Sequence, residues 1–361
     1  MRKKAVTIKD VAKAANVSIT TVSRVINNNM DAVNKTTSQR IRRVIEELRF
    51  VPNAMARGLH SADTKTIGLI IQDISNPYYP GIVQGVENMA QKLGYSLFLA
   101  NAQRSHVRTS QYFDIMREKR VDGMILVGGG IVKDADRENI FAAEDLRTVV
   151  IGKPAIDCVS VQIDNVEAGR LACRHLLERG HRAIAMISGF GGSNSVGDRE
   201  KGYHLAMEEY RIAPLRKWLA RGNFTYESGA AAVDRLPLSG SEKISAIFAH
   251  NDLMAIGAIN TLVQRGYRVP EDVSVVGFDD IQLSSYFSPA LTTVSVPFNQ
   301  MGGRAMECLA RLLKGKKVER TTYLQVAIQE RGTVSPLQEG IAASIELIMG
   351  THAGYAGIGG K

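Results

Sequence analysis

Residues 7–27 read TIKDVAKAANVSITTVSRVIN, and this stretch decides the fold of the N-terminal region. Thr7 is followed by apolar residues at helical spacing, and Asp10 stands where a capping box places its acidic partner. Asn16 can adopt the left-handed conformation of a tight turn, and Ser18 can cap a following helix. The stretch therefore predicts two short helices joined by a tight turn.

A third helix is predicted to begin after Asn34, because apolar residues from Ile41 to Leu48 recur at helical spacing. Three such helices can enclose a small core of about 45 residues. The second helix turns polar and partly apolar groups outward, and these suit base edges and phosphate oxygens. The outward set is Ile19, Thr20, Thr21, Ser23, Arg24 and Asn27. The head is therefore predicted to bind DNA.

The net charge is concentrated in the first sixth of the chain. The whole chain carries +9, of which residues 1–60 contribute 12 Lys/Arg and 4 Asp/Glu, or +8. A basic head on a nearly neutral body suggests a polyanionic partner, since neutralised phosphates release counterions. The apolar spacing of this segment argues against a merely solubilising tail.

Length and composition indicate a globular protein of two or three domains, with 361 residues of which 45% are hydrophobic. There is no run of 18 apolar residues, and the N-terminus MRKKAVTIKD lacks the apolar stretch of a secretory signal. We therefore expect a cytoplasmic location and no membrane partner.

From Thr66 onward, short apolar runs alternate with helical segments. The runs are TIGLII, YSLFLA, DGMILV, TVVIG, RAIAMIS, ISAIFA and DVSVVGF. Such runs are typical of parallel strands buried on both faces, and the intervening helices end at Gly94, Gly180 and Gly266. The pattern predicts open, doubly wound sheets in two lobes, with a crossing near residue 164 and ligands beyond the carboxyl ends of the strands.

Polar and aromatic residues directly follow several of these strands. They are Ser75, Asn76, Pro77, Tyr78, Tyr79, Arg199, Asn251, Asp252, Asp279 and Asp280. Flat rings together with bidentate polar groups suit a sugar, which has apolar faces and hydroxyl edges. Asp252 and Asp280 are instead predicted to cap helices. A small polar ligand is therefore expected at this edge.

The segment TIKDVAKAANVSITTVSRVIN, followed by RFVPNAMARGL, resembles the head and hinge of the lactose-repressor and galactose-repressor (LacI/GalR) family of bacterial transcription regulators. The resemblance continues to about residue 335, with Asn16 in place of the usual turn glycine. It implies that Ile19, Thr20 and Arg24 read bases. The backbone-contacting positions implied by the family are Thr7, Ser18, Ser23 and Asn27.

Residues 52–59, PNAMARGL, are too few for a stable isolated helix. The resemblance implies a hinge that becomes helical when two copies meet on DNA, with Leu59 wedged into the minor groove. Asn53 and Arg57 are predicted to contact DNA from the same hinge. The alternative interpretation is a plain linker.

The body resembles a periplasmic sugar-binding-protein fold, most specifically in DREKGY and FAHNDLMAIGA. The resemblance implies a cleft lined by Asn76, Tyr78, Tyr79, Arg199, Asn251 and Asp279. It does not fix the ligand, since family members bind pentoses, hexoses, sugar phosphates, purines or a phosphoprotein.

The expected fold class is α/β, with an all-α helix-turn-helix head and hinge helix joined to a two-lobed body of doubly wound parallel sheets. The expected domains are a head at 1–50, a hinge and linker at 51–65, and a body at 66–335. Within the body, the N-lobe is expected at about 66–163 and 296–320, and the C-lobe at about 164–292 and 321–335. Residues 336–361 are expected to form a flexible tail, which favours a homodimer over a tetramer.

The expected function is a DNA-binding transcriptional regulator, most simply a repressor, that acts as a homodimer on a near-palindromic operator and responds to a small-molecule effector. Two alternatives stay open: a periplasmic-type sugar-binding transport receptor and, with less support, a sugar-modifying enzyme. GFGGSNSVG lacks the features of a phosphate-binding loop, and no HExxH or GxSxG motif occurs. The seven histidines form no cluster and are expected at helix ends or on the surface. We therefore predict no catalytic residue, no metal and no cofactor.

Overall fold

The computed structural model describes residues 6–26, 33–50, 63–128, 146–154, 158–189 and 194–337. The chain divides into two compact units, a head at Met1–Thr64 and a body at Lys65–Lys361. Within the described ranges, no helix combines the length and hydropathy needed to cross a bilayer. The predicted hinge contacts and almost all of the predicted tail lie outside the described residues.

The head contains three helices around a small apolar core. They are α1 (Ile8–Ala14), α2 (Ile19–Ile26) and α3 (Lys35–Glu47). Asn16 has φ of +48°, as the predicted tight turn requires, and Val11, Val22 and Ile41 are fully buried. The Asn34 side chain accepts a hydrogen bond from the Thr37 backbone N–H at 2.8 Å and so begins α3. The predicted helix-turn-helix is therefore confirmed.

The first lobe of the body is a parallel six-stranded sheet with the order β11-β5-β4-β3-β1-β2. Its elements are β1 (Thr66–Ile71), α4 (Tyr78–Lys92), β2 (Ser96–Asn101), α5 (His106–Glu118), β3 (Gly123–Val127), β4 (Arg147–Ile151), β5 (Val159–Ile163), α11 (Phe298–Leu313) and β11 (Thr321–Leu324). Every residue of β3 is buried, because helices cover both faces of the sheet. The edge strand β2 is largely exposed.

The second lobe is a sheet of the order β12-β10-β9-β8-β6-β7, parallel except for the pairing of β12 with β10. Its elements are α6 (Asn165–Leu177), β6 (Ile184–Ser188), α7 (Asn194–Glu209), β7 (Leu219–Arg221), α8 (Tyr226–Val233), β8 (Ala246–Ala249), α9 (Asp252–Gln264), β9 (Ser274–Asp279), α10 (Gln282–Tyr286), β10 (Thr292–Ser295) and β12 (Ala327–Gln329). A single 3₁₀ turn, Arg216–Trp218, precedes β7. The strands β6, β8 and β9 are entirely buried.

The chain passes between the two sheets three times. It leaves the first sheet after Ile163, returns after Ser295, and leaves again after Leu324. The last crossing corrects the expected lobe boundary for residues 321–324 only, since β12 lies in the second lobe as expected. Residues 321–324 pair in parallel with β5, with Thr321 opposite Ser160, because this pairing satisfies backbone groups at an otherwise open sheet edge.

Reciprocal glycines bring three pairs of helices unusually close together. A Cβ on Gly85 of α4 would lie 2.1 Å from the Asn299 carbonyl oxygen on α11, and one on Gly302 would lie 2.2 Å from the Ile82 carbonyl oxygen. The same reciprocity joins α6 to α7 through Gly169 and Gly202, and α8 to α9 through Gly229 and Gly257. Helix pairs packed this closely fix the relative positions of the side chains at their ends.

Candidate DNA-binding surface and effector cleft

The outward face of α2 carries most of the predicted base-reading residues. Ile19 is 44% exposed, and Thr20 and Arg24 are also exposed, while Val22 and Val25 on the opposite face are buried in the head core. No hydrogen bond or ion pair joins the Arg24 guanidinium to another described residue. The apolar face of α2 is fixed in the head core, so the exposed guanidinium on its other face can reach a base edge.

Two of the predicted backbone-contacting residues also cap helices. The Thr7 backbone N–H and hydroxyl both donate to the Asp10 carboxylate, at 2.8 and 2.7 Å. The hydroxyl proton of Thr7 is thus engaged within the head. Ser18 Oγ accepts from the Thr21 backbone N–H at 3.1 Å and lies 2.8 Å from the Thr21 hydroxyl. The capping predicted for Ser18 is confirmed.

Of the remaining predicted DNA-contacting residues, two lie within the described ranges and four lie outside them. Thr21 and Ser23 are half-buried on the sides of α2. The residues Asn27, Asn53, Arg57 and Leu59 lie outside the described ranges.

The six predicted ligand residues lie together at the carboxyl ends of the strands of both sheets. Asn76, Tyr78 and Tyr79 follow β1 in the first lobe, and Asn251 and Asp279 follow or end β8 and β9 in the second. Arg199, on α7 after β6, completes the group. Parallel strands end at a common sheet edge, so the topology places the residues of each lobe at one edge of their own sheet.

The first lobe contributes aromatic rings to the cleft. The Tyr78 ring lies 4.9 Å from that of Tyr79 and 4.8 Å from that of Phe298, both in edge-to-face geometry. Burial, and then the negative charge of Asp279, raises the pKa of Tyr78 to about 12, against a smaller opposing effect of Arg199. Burial also raises the pKa of Tyr79. Both phenols thus remain protonated and can donate a hydrogen bond.

Arg199 supplies a buried cation from the second lobe. Its Nε donates to Asn165 Oδ1 at 2.9 Å, its Nη1 donates to the His250 carbonyl oxygen at 2.6 Å, and its guanidinium carbon lies 3.5 Å from the centroid of the Phe278 ring. Burial lowers the pKa of Arg199, and the nearby Asp279 carboxylate partly offsets this. Guanidinium nevertheless keeps its proton in proteins. Arg199 is therefore a fixed positive charge with a fixed orientation.

Asp279 is a buried acid at the end of β9. It is 5% exposed and has φ of +117°, a backbone conformation that non-glycine residues rarely adopt. No described group donates a hydrogen bond to its carboxylate. Burial raises the pKa of Asp279 well above the usual range, Arg199 opposes this, and Asp252 adds to it. A buried carboxyl group without a donor is suited to accept hydrogen bonds from the hydroxyl or amine groups of a ligand.

Asn251 and Asn76 already have partners within the protein. Asn251 Oδ1 accepts from the Met254 backbone N–H at 3.0 Å and so caps α9, while its Nδ2 donates to the Phe224 carbonyl oxygen at 3.1 Å. Asn76 Oδ1 accepts from the Tyr78 backbone N–H at 3.0 Å. Each amide therefore positions an aromatic neighbour and keeps only part of its hydrogen-bonding capacity for a ligand.

Asp252 and Asp280 are not helix caps, which corrects the expectation for both. The cap of α9 is Asn251, and the buried Asp252 accepts from the Ile281 backbone N–H, the Ser284 hydroxyl and the Thr293 hydroxyl at 2.9, 2.6 and 2.6 Å. Asp280 pairs with Arg331 at 2.6 Å. The residues that bind Asp252 and Asp280 are distant from them in the sequence, so no local pattern identified these contacts.

The structure adds residues that the sequence interpretation missed. Phe224 follows β7 with φ of +70°, and a Cβ on Gly189 would lie 2.2 Å from the tip of its ring. His250 was expected at a helix end or on the surface, but it is fully buried, and its Nδ1 accepts from the Gly189 backbone N–H at 3.1 Å. Burial, followed by the charges of Arg199 and Arg221, lowers the pKa of His250 well below its ordinary value. It is therefore neutral.

Two polar contacts cross from one lobe to the other beside the cleft. Arg104, in the loop after β2, lies 3.7 Å from Asp73 in its own lobe and donates to the Asn223 carbonyl oxygen in the second lobe at 3.0 Å. Lys153, after β4, forms an ion pair with Asp198 of α7 at 3.0 Å. The lobes are thus joined by exposed contacts that can be broken and remade.

Comparison with known protein families and proteins identifies the family of the chain. Residues 7–53 match the description "Bacterial regulatory proteins, lacI family", and residues 173–334 match "Periplasmic binding protein-like domain". The transcriptional repressor PurR of Aliivibrio fischeri strain MJ11 is 37% identical over 338 residues, covering 91% of this chain and 98% of that protein. PurR of Vibrio cholerae strain M66-2 is 36% identical over 334 residues, covering 92% of this chain and 98% of that protein.

Solved structures resemble the whole chain as well. The Lac repressor dimer bound to operator and the anti-inducer ONPF has a TM-score of 0.84 at 28% identity, covering 92% of this chain and 100% of that one. The transcriptional regulator CelR in complex with cellobiose has a TM-score of 0.69 at 31% identity, covering 91% of this chain and 99% of that one. The protein is a member of the lacI family of bacterial regulatory proteins, a DNA-binding transcriptional repressor and not an enzyme.

Proposed function

We propose that this repressor binds a near-palindromic operator as a homodimer and is switched by a small polar ligand, a sugar or sugar derivative, bound between the two lobes. A repressor acts on chromosomal DNA, so we propose a cytoplasmic location. The observation that carries the ligand proposal is the convergence of the buried Asp279 and Arg199 with Tyr78 and Tyr79 at one edge.

The ligand chemistry is inferred from the balance of ring faces and charged groups. Aromatic rings cover the apolar C–H faces of a sugar, and a fixed carboxyl and guanidinium bind its hydroxyl groups in pairs. The Asp279 carboxyl group has no described donor, so a ligand hydroxyl would supply the hydrogen bond that it lacks. The structural relative CelR, which is described in complex with cellobiose, supports a sugar.

The DNA half of the proposal rests on the exposed face of α2. We propose that Ile19, Thr20 and Arg24 read bases, while Ser18, Thr21, Ser23 and Thr7 position the helix on phosphates. Two heads bound to half-sites one helical turn apart, or a multiple of it, would require a near-palindromic operator. The hinge residues Asn53, Arg57 and Leu59, with Asn27, are proposed to extend these contacts.

The homodimer is supported by an exposed apolar surface on the first lobe. The edge strand β2 exposes Phe98 and Leu99 by 52% and 42%, and the neighbouring helix α5 exposes Val107 and Ile115 by 67% and 43%. An apolar edge strand left open to solvent promotes aggregation, so it is normally covered. We assign a second copy of the chain as its cover, in keeping with the dimeric Lac repressor structure.

The homodimer is tested by sedimentation of charged variants. Phe98→Glu and Val107→Glu are expected to give monomers that bind the operator weakly. Tyr323→Glu is the control, because Tyr323 is 59% exposed on β11 at the opposite edge of the same sheet. Monomers formed equally by the control, or dimers that persist in both β2 and α5 variants, would contradict the assignment.

The effector is tested by a thermal-shift screen of sugars, sugar acids, sugar phosphates and, as the competing class, nucleobases. A sugar hit should change the affinity for an operator selected in vitro, and Asp279→Asn and Arg199→Lys should remove that response while ligand-free operator binding is retained. Stabilisation by nucleobases alone, or a sugar response that survives both substitutions, would overturn the proposed ligand.

A further inference from the structure

A strongly basic surface lies on the amino edge of the first lobe, opposite the cleft. The strands of this sheet are all parallel, so the connections from α4 to β2, α5 to β3 and α11 to β11 all lie at the edge where the strands begin. The chain also enters the body at this edge, since Lys65 directly precedes β1.

Two segments of this edge hold most of its charge. Residues 311–320 contain five Lys/Arg and one acid, and residues 117–120 contain three Lys/Arg and one acid. All of these charged residues are exposed. We call these two segments the basic edge. It carries a net +6, whereas residues 61–361 together carry +1, so the remainder of the body has a net −5. The positive charge of the body is thus concentrated on one edge.

At the corresponding edge of the second lobe, three cations are paired with acids. The pairs are Lys217 with Glu242, Arg265 with Asp234, and Arg268 with Asp272. On the basic edge, Lys119 pairs with Glu118 at 3.5 Å, but Lys314, Lys316 and Lys317 form no ion pair with any described residue. A net charge of +6 on exposed residues, with three lysines that have no ion pair to a described residue, favours a polyanionic partner for the basic edge.

We propose that the basic edge binds the phosphate backbone of DNA flanking the sequence held by the heads. Three lysines within four residues of a surface turn have the reach and freedom to follow phosphates without reading bases. These contacts would add sequence-independent affinity and a steeper salt dependence to those of the heads. The inference rests on the DNA binding of the family and adds a body surface to it.

The test uses the full chain with a Lys314→Gln, Lys316→Gln and Lys317→Gln triple variant and a long mixed-sequence DNA duplex as the probe. The matched control is Lys201→Gln, Arg211→Gln and Arg216→Gln, which removes the same charge from exposed positions of the second lobe. Binding is measured by fluorescence anisotropy between about 50 and 200 mM salt, where each lost phosphate contact lowers the slope of log affinity against log salt by about 0.9.

The triple variant is expected to bind at least about tenfold more weakly at the lowest salt and to lose up to about 2.7 from the slope, whereas the control should match the wild type. Unchanged slopes, or equal losses in both variants, would overturn the proposal. Unchanged DNA binding together with lost binding to a phosphoserine peptide would assign the basic edge to a phosphorylated protein instead. Failure of DNA binding by the heads is distinguishable, because the wild type would then not prefer an operator selected in vitro over the mixed-sequence duplex.

Discussion

The ammonium group of Lys153 lies 3.0 Å from the carboxylate of Asp198, and this ion pair joins the first lobe of the body to the second. Asp198 directly precedes Arg199 on α7, so the contact between the lobes is adjacent to the buried cation of the cleft. Any change in the separation of the lobes must alter this pair and the Arg104 contact with Asn223. We therefore expect ligand binding and lobe closure to be coupled through these neighbouring residues.

Replacing Lys153 by methionine should favour opening of the lobes. An exposed ion pair contributes about 0 to 1 kcal/mol, so the ratio of open to closed molecules should rise by up to about fivefold. Small-angle X-ray scattering should report a larger radius of gyration, and added salt should move the wild type in the same direction. Lys201→Met, on an exposed position of α7, is the control. Indistinguishable scattering from wild type and Lys153→Met would contradict a role in closure.

Close packing of α6 against α7 should depend on Gly202. A Cβ there would lie 2.1 Å from the Val166 carbonyl oxygen, so Gly202→Ala must push the helices apart and disturb the hydrogen bond between Arg199 and Asn165. We expect a loss of about 1 to 3 kcal/mol in the free energy of unfolding, measured by urea denaturation.

The matched control is Gly197→Ala on the same helix. Apart from the backbone of its own helix, no described atom lies within 4 Å of a Cβ at Gly197, and the helix gains about 1 kcal/mol from the better former. Equal destabilisation by the two substitutions would show that close helix contact is not the cause.

Local sequence signals were sufficient for the long elements of the body. The predicted helix ends at Gly94, Gly180 and Gly266 are confirmed, with φ of +76°, +89° and +85°. Continuous apolar runs identified the central strands because burial on both faces leaves a local composition signal. The helices of the head could be predicted equally well, because helical spacing and the caps at Asn34 and Ser18 are also local signals.

Other features depended on contacts between distant residues. The three-residue strand β7 carries too little signal of its own, so Phe224 at its end was missed. The strand β11 was placed in the wrong lobe, because its position is decided by pairing with β5, about 160 residues earlier. Asp252 was taken for a cap because its partner Thr293 lies 41 residues away.

The stability of the body should fall as the pH rises through the pKa of Asp252. Burial raises this pKa to about 6, so between the unfolded value near 4 and about 6 the native state binds more protons than the unfolded chain. Stability is therefore greatest below the unfolded pKa and declines by up to about 3 kcal/mol as the carboxyl group ionises. Asp252→Asn can still accept hydrogen bonds from Ile281 and Ser284. The free energy of unfolding of this variant, measured by urea denaturation at several pH values, should not show the decline. An unchanged difference between wild type and variant from pH about 4 to 7 would contradict it.

Replacing Arg24 by alanine should reduce discrimination at one base position of each half-site. The guanidinium is exposed on α2 and joined to no other described residue, so its removal leaves the head core of Val22 and Val25 intact. A lost bidentate contact to a base edge costs about 1 to 3 kcal/mol and relaxes specificity at that position. Affinities for an operator selected in vitro and for its single-base variants provide the measurement, with Lys9→Ala on an exposed position of α1 as the control for charge. If Arg24→Ala instead weakened every sequence equally and reduced the salt slope by about 1, Arg24 would contact phosphate and the base-reading assignment would be wrong.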